Sequence, residues 1–311
     1  SANTYPRKKC GTLRSMESPF VPALEEMQRT GDKIFKPQKF QKYLKQHFDA
    51  DQLLTWKRTA RFLSIQSFGD LDAALRDAGI MVLRLGRGTF GLVKVPNLKD
   101  FFLFDSDFQP NLESFIPTAS EVDLFPFKLL GSHIESNAVN LAIASGLMHE
   151  VLHLDAISPK IGPTTGAGTY SFSVRPHQAF PDLEWSHERG QVEVDALLFA
   201  YRQGRPTLFV IEAKKGNPEG SLPKHKLVYP VLSVSSHPAL QKLEESIEIV
   251  PIYMRSWEEK GEIFYRIAEC NSQDSRTTHS YISDLTVAQT RLLSMPVPST
   301  PSTFNLKNPS K

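Results

Sequence analysis

Two short stretches carry the densest chemistry in the chain: Glu193-Val194-Asp195, and Glu212-Ala213-Lys214 beyond a Gln203-Gly204-Arg205-Pro206 turn. Each reads as part of a β-strand, over 191–201 and 207–213, and along a strand residues i and i+2 share a face. Glu193 and Asp195 then point one way, as do Glu212 and Lys214, and a short hairpin sets the two strands side by side. Three carboxylates and one ammonium would converge. The preceding run Leu208-Phe209-Val210-Ile211 is apolar throughout, as in a strand buried on both faces. Charges at the end of such a strand are costly unless paired or bound to a metal. Hard carboxylate oxygens suit Mg²⁺, which keeps several waters and also binds phosphate oxygens. A lysine beside them could orient or help deprotonate an attacking water and stabilise charge on a phosphoryl group. The plain alternative is a solvated cross-strand ion pair, common at strand ends.

The elements needed to position these residues can be read along the chain. Residues 17–62 carry helical punctuation, with Phe40, Tyr43, Leu44 and Phe48 on one face of a helix. Lys36, Lys39, Lys42 and Lys45 repeat every third position and are expected along one side of it. Phe68 to Ala78 reads as a helix ended by Gly79. Ile80–Leu85 and Thr89–Val95 flank Gly86-Arg87-Gly88, a hairpin whose basic residues are Arg84 and Arg87. Residues 96–130 show no clean period and read as a connector with short elements. Ile134 to Leu154 reads as one long helix, followed by strands at 169–174, 191–201 and 207–213, a helical region at 237–247 and a strand at 248–253. Residues 286–311 are rich in Pro, Ser and Thr and read as a surface-wrapping or disordered tail. The expected organisation is an N-terminal basic domain over 1–112, a catalytic domain over 113–285 and a tail over 286–311.

Asp195 followed by Glu212-x-Lys214, with Ile211 and the apolar run before it, resembles the PD-(D/E)xK nuclease superfamily over roughly residues 130–270. Val194 stands where many members have proline. The resemblance implies an α/β fold with a restriction-endonuclease-like core, a mixed central sheet flanked by helices, in the order helix, three strands, helix, strand. The helices and basic-tipped hairpin before it resemble a winged-helix module, an α+β N-terminal domain. The resemblance further implies that Asp195 and Glu212 hold Mg²⁺, that Lys214 acts on the attacking water, and that Glu193 assists. An acidic residue of the first core helix often joins the metal; Glu135 is the candidate and Glu150 the other possibility. The Lys224–Pro230 segment after the motif falls where the resemblance implies substrate-contacting or helix residues. The implied activity is that of a type II restriction endonuclease, hydrolysing phosphodiesters of double-stranded DNA. A homodimer is expected for a palindromic target, and a cognate DNA methyltransferase acting on the same site is a possible partner.

A second motif competes. His149-Glu150-Val151-Leu152-His153 reads as H-E-x-x-H, which on a helix could bind Zn²⁺ with Glu150 as the base of a metalloprotease. Ala156 stands where the extended form of the motif has glycine, and no third ligand has diagnostic spacing. A repair or transposition nuclease with the same core, or a DNA-binding regulator whose core is inactive, are further alternatives to a restriction enzyme.

Composition is that of an ordinary globular protein, and its overall charge neither supports nor excludes a nucleic-acid partner. The 311 residues are 40% hydrophobic and 23% charged, which excludes wholesale disorder. The net charge of +2 hides an asymmetry: residues 1–62 hold 13 Lys and Arg against 6 Asp and Glu, and the remainder 23 against 28. A basic segment beside an acidic, metal-binding one is the footprint expected of a DNA-positioning module, with Lys36, Lys39, Lys42, Lys45, Arg84 and Arg87 as the phosphate contacts. Two cysteines, Cys10 and Cys270, cannot form a disulfide framework. The basic Ser1–Arg14 segment lacks the apolar core of a signal peptide, and no run is long enough to span a bilayer, so no membrane association and a cytoplasmic location in a prokaryotic cell are expected.

Overall fold

Aromatic side chains assemble the N-terminal third. The computed structural model describes residues 18–55, 59–130, 135–158, 162–276 and 281–302. It opens with α1 (Val21–Thr30), β1 (Ile34–Lys39) and α2 (Phe40–His47), followed by short helices α3 (Ala50–Thr55), α4 (Thr59–Leu63) and α5 (Ala73–Asp77). The expected hairpin forms as β2 (Ile80–Arg84) and β3 (Thr89–Lys94), and β3 also pairs with β1, giving a three-stranded antiparallel sheet. Phe20, Phe35, Phe40 and Tyr43 close around Phe90, with Phe40 and Phe90 edge-to-face at 5.0 Å.

Two expectations fail here for local reasons. Lys36 and Lys39 lie on β1 and not on the helix with Lys42 and Lys45, because Pro37 holds its predecessor in an extended conformation. Residues 68–78 form a 3₁₀ turn (Phe68–Asp70) and then α5, where the side chain of Asp72 caps the Ala74 N–H at 3.0 Å.

The connector over 96–130 holds short elements, as expected. It contributes β4 (Phe102–Phe104), β5 (Leu112–Ser114) and α6 (Glu121–Leu130). The single long helix expected over 134–154 is two, α7 (Glu135–Ala144) and α8 (Leu147–Val151), broken at Gly146, which adopts φ 88°. The strands that follow are longer than expected: β6 (Thr164–Val174), β7 (Trp185–Arg202) and β8 (Arg205–Lys215). After β9 (Ser221–Pro223) comes α9 (His225–Ser235), which takes in all but the first residue of the Lys224–Pro230 segment expected to be substrate-contacting or helical, but which no periodicity marks. Nine of its eleven residues are buried, so it shows no amphipathic stripe. The helix expected over 237–247 is only α10 (Pro238–Gln241). Then follow β10 (Glu248–Glu259), β11 (Glu262–Cys270), β12 (Gln273–Asp274) and β13 (Val287–Pro296). β13 overturns the reading of 286–311 as a peripheral tail: it buries Leu293 and Met295 and pairs with β11 from Glu262↔Pro296 to Cys270↔Val287.

The chain is thus α/β, with one large mixed sheet in the order β5-β13-β11-β10-β8-β7-β6, β12 pairing with β10. β6, β7 and β8 form an antiparallel meander, and α9 carries the chain over to β10, which runs parallel to β8. α7 packs Ala138, Val139, Leu141 and Ala142 on one face, against Ala196, Leu198, Phe209, Ile211 and Ala213. α9 covers the other face, where Val231 meets Val210 and Ile249. Its Leu227, Val228, Tyr229 and Leu232 join the same hydrophobic cluster as the N-terminal core. Among the described residues, no helix is long and apolar enough to cross a membrane.

Candidate functional site

The site forms where β7 parts from β8. Their ladder runs from Arg202↔Arg205 to Ala196↔Ile211 and stops there. On its other side β7 carries a bulge, the register passing from Thr164↔Leu197 to Gly166↔Val194. Asp195 falls in that irregularity, and its side chain, not its backbone, completes the contact: Oδ2 accepts the Ala213 N–H at 2.9 Å. β8 is held from its other side by β10 as far as Lys215↔Ser256.

Alternation on β8 sends Ile211 and Ala213 toward α7, and Glu212 and Lys214 to the opposite side. Glu212 is only 5% exposed. Its Oε1 accepts from Lys214 Nζ at 2.8 Å, and that ammonium lies 3.8 Å from Oε1 of Glu135, at the start of α7. Burial pushes the Glu212 carboxyl up to about 7. Lys214 works against that rise, the nearby Asp195 adds to it, and Lys226 of α9 also opposes it. For Lys214, burial disfavours the charge, but Glu212, Glu135 and Asp195 outweigh it and hold its pKa above the ordinary lysine value. The structure therefore brings together four of the five expected catalytic residues: Asp195, Glu212, Lys214 and Glu135.

Glu193 is the exception. It is exposed and lines a neighbouring cleft, because the bulge after Val194 breaks the alternation that would have aligned it with Asp195. Glu150, the other helix candidate, is turned away and pairs with Arg291 at 3.2 Å. The H-E-x-x-H geometry is also absent: α8 ends at Val151, and His153 lies beyond it with φ 51°, so the two histidines do not share a helical face.

Whether the cluster suits Mg²⁺ can be judged from its donors. Among the described residues no group of three or more acidic, His or Cys side chains is placed to hold a metal. Glu135 reaches the cluster through Lys214. Two carboxylates remain, Asp195 and Glu212, each with one oxygen in a hydrogen bond. One or two carboxylates with waters and substrate phosphate is the ordinary provision for Mg²⁺. The donor set fits.

The turn after Lys214 is fixed from beneath. Arg255, the β10 partner of Lys214, donates to Asn217 O at 3.2 Å, and Arg266 donates to Pro218 O at 2.6 Å. Both arginines surround the fully buried Asp105, at 2.6 Å and 3.7 Å.

Five of the six expected phosphate contacts line one concavity of about 760 Å³: Lys39, Lys42, Lys45, Arg84 and Arg87. Lys39 Nζ also donates to Arg87 O at 2.7 Å. Lys36 is exposed on β1 and does not line it. Leu63 and Arg84 belong as well to a second cleft of about 200 Å³, which continues to Glu193 and Lys226. The sequence reading missed His187 and Gln191 as site neighbours, and held Lys226 only as one of the Lys224–Pro230 residues. Only the Lys224–Pro230 segment as a whole offered a signal, and its helix is too uniformly buried to show which residues face the cleft.

Fold and site define a helix-flanked, mixed-sheet α/β protein whose clustered acids and lysine sit at a split in the sheet. Residues 109–287 match a family described as a domain of unknown function (DUF6997), more than half of the chain, and the chain belongs to that family. No curated protein and no solved structure matches it.

Proposed function

We propose that this protein is a Mg²⁺-dependent endonuclease of double-stranded DNA, of the type II restriction kind, with a PD-(D/E)xK core. The observation that carries the reading is the convergence of Asp195, Glu212, Lys214 and Glu135 at the parting of β7 and β8. The order α7, β6, β7, β8, α9, β10, with β10 parallel to β8, supports it. So does the basic concavity that leads by way of Arg84 toward the acids. In this reading residues 1–112 are a winged-helix-like DNA-positioning domain and residues 113–285 hold the catalytic core.

Asp195 and Glu212 would hold Mg²⁺, which supplies Lewis-acid stabilisation of phosphate charge when bound. Lys214, kept charged by Glu212 and Glu135, orients the attacking water and neutralises charge on the phosphoryl oxygens. Glu135 holds the lysine from the opposite layer of the sheet. Lys39, Lys42, Lys45, Arg84 and Arg87 take the phosphates flanking the cut. Hydrolysis leaves a 5′-phosphate and a 3′-hydroxyl. A homodimer matches a palindromic site, a methyltransferase acting on the same site is a possible companion, and the cytoplasm of a prokaryotic cell is the expected location.

The test is incubation of unmodified plasmid with the protein across a Mg²⁺ titration. Discrete fragments are expected, with cleavage by Lys214→Ala lower by about 10²-fold or more. Equal cleavage by the variant, or none by wild type at any Mg²⁺ concentration, would overturn the assignment.

A further inference from the structure

The second cleft lies beside the acid site. It lies between α9, the first half of β7 and the end of β2, and it is lined by Arg84, His187, Gln191, His225, Lys226 and Tyr229 among others. Three of these are buried rings: His187 is 2% exposed, and His225 and Tyr229 are each 7% exposed. The two imidazoles pack at 5.3 Å and 5.4 Å from the Tyr229 ring, and His187 is stacked flat on Phe172 at 4.4 Å. Tyr229 is held in place by donating to Arg84 O at 3.0 Å. His225 Nδ1 is buried with no hydrogen-bond partner, a cost a fold does not normally leave standing.

The electrostatics select the kind of ligand. Burial pulls the pKa of both imidazoles down, His225 to about 3, so both are neutral. Nδ1 of His187 donates to Tyr170 O at 3.3 Å, which leaves His225 as the imidazole with a buried, unpartnered ring nitrogen. Neutral rings suit an uncharged heteroaromatic ligand better than a phosphate. The two cations at the cleft, Arg84 and Lys226, are left for the phosphates on either side. Engineered cavities of about 150 Å³ accept benzene, so a cleft of about 200 Å³ has room for one planar heterocycle.

Its position supplies the rest. The cleft shares Arg84 with the basic concavity, Glu193 on its wall is two residues from Asp195, and Lys226 on its wall acts on Glu212. We infer that this cleft receives a single nucleobase turned out of the duplex beside the phosphodiester to be cut, reading its polar edge with His225 and Gln191. The inference rests on the nuclease reading. Turning a base out costs a few kcal/mol, offset by stacking and edge contacts in the receiving pocket. It would let the enzyme judge one base by its full outline and not by its groove edge alone.

The test uses the full chain in EDTA, with the four deoxynucleoside 5′-monophosphates as probes and binding followed by ligand-observed NMR and calorimetry. At least one is expected to bind at millimolar concentration or tighter, with deoxyribose 5-phosphate and inorganic phosphate failing to displace it. His225→Phe, which keeps a ring but removes its nitrogens, should weaken binding tenfold or more. Gln191→Leu at the exposed rim should weaken it severalfold, and it serves if the buried variant does not fold. Lys214→Ala should leave nucleotide binding in place, which separates this pocket from the hydrolytic site. The inference is overturned if no monophosphate binds, if inorganic phosphate or deoxyribose 5-phosphate displaces them, or if binding survives both His225→Phe and Gln191→Leu.

Discussion

Glu212 makes the acid site expensive for the fold, and the expense can be measured. Its carboxyl ionises at about 7 in the folded protein against an ordinary value of 4.5. Below the lower value it is protonated in both states and does not affect stability. Between the two, the unfolded chain releases the proton and the folded chain keeps it, so stability falls as pH rises. Above about 7 the loss is complete. A shift of this size is worth about 3 kcal/mol. Lys214 stays charged throughout this window because its own pKa is raised. Glu212→Gln removes the titrating group while keeping its shape. Urea unfolding of wild type and variant in EDTA, at about pH 5 and about pH 8, isolates the effect, since other titrating groups cancel between the two proteins. Wild type should lose about 2 to 3 kcal/mol more than the variant on going to the higher pH. The same pH dependence in both proteins would refute the reasoning, because Glu212 would then not be the buried, costly acid described.

Other consequences are as direct. Replacing Lys42 and Lys45 together with alanine should weaken binding to duplexes of any sequence and lower the slope of log affinity against log salt by about 2, read from binding isotherms at several salt concentrations. Asp105→Ala strands Arg255 and Arg266 in the interior and should cost about 3 to 5 kcal/mol in chemical denaturation, whereas Tyr253→Phe, which removes one neutral hydroxyl from the same cluster, should cost about 1 kcal/mol. Gly146→Ala should destabilise the protein by about 1 to 2 kcal/mol in thermal or chemical unfolding, because Gly146 is left-handed and a Cβ there meets the Thr118 hydroxyl.

The acid site was largely legible because its residues are local: Glu212 and Lys214 lie on one strand, Asp195 on its hairpin neighbour, and the apolar run before Glu212 announces a buried position. Glu193 was misplaced because alternation assumes an unbroken pleat, and the bulge after Val194 depends on how β6 pairs, which no local pattern records. Helix α9 was visible only as the Lys224–Pro230 segment of substrate-contacting or helix residues, since a segment covered on all sides loses the polar stripe that betrays a helix. The break at Gly146 was visible as a glycine but outvoted by the apolar periodicity on either side. β10 and β11 were half seen: Lys260 and Gly261, both with positive φ, make the turn between them, and that Lys-Gly pair between two apolar runs was a readable hairpin signal. β13 was misread because its flanking Pro, Ser and Thr residues set the character of the whole segment.

β13 also sets a limit on dissection. The family match ends at residue 287, the first residue of that strand. A fragment cut at those limits would keep β11 and β5 but discard the strand that lies between them. The ladder groups of β11 from Glu262 to Cys270 would then face solvent as an open template for strand addition by neighbouring molecules. The same cut removes β4 and leaves β9 unpaired. The family's boundaries therefore delimit shared sequence but not an autonomous folding unit. A soluble minimal fragment must run at least through Pro296 and begin no later than the strand at Phe102.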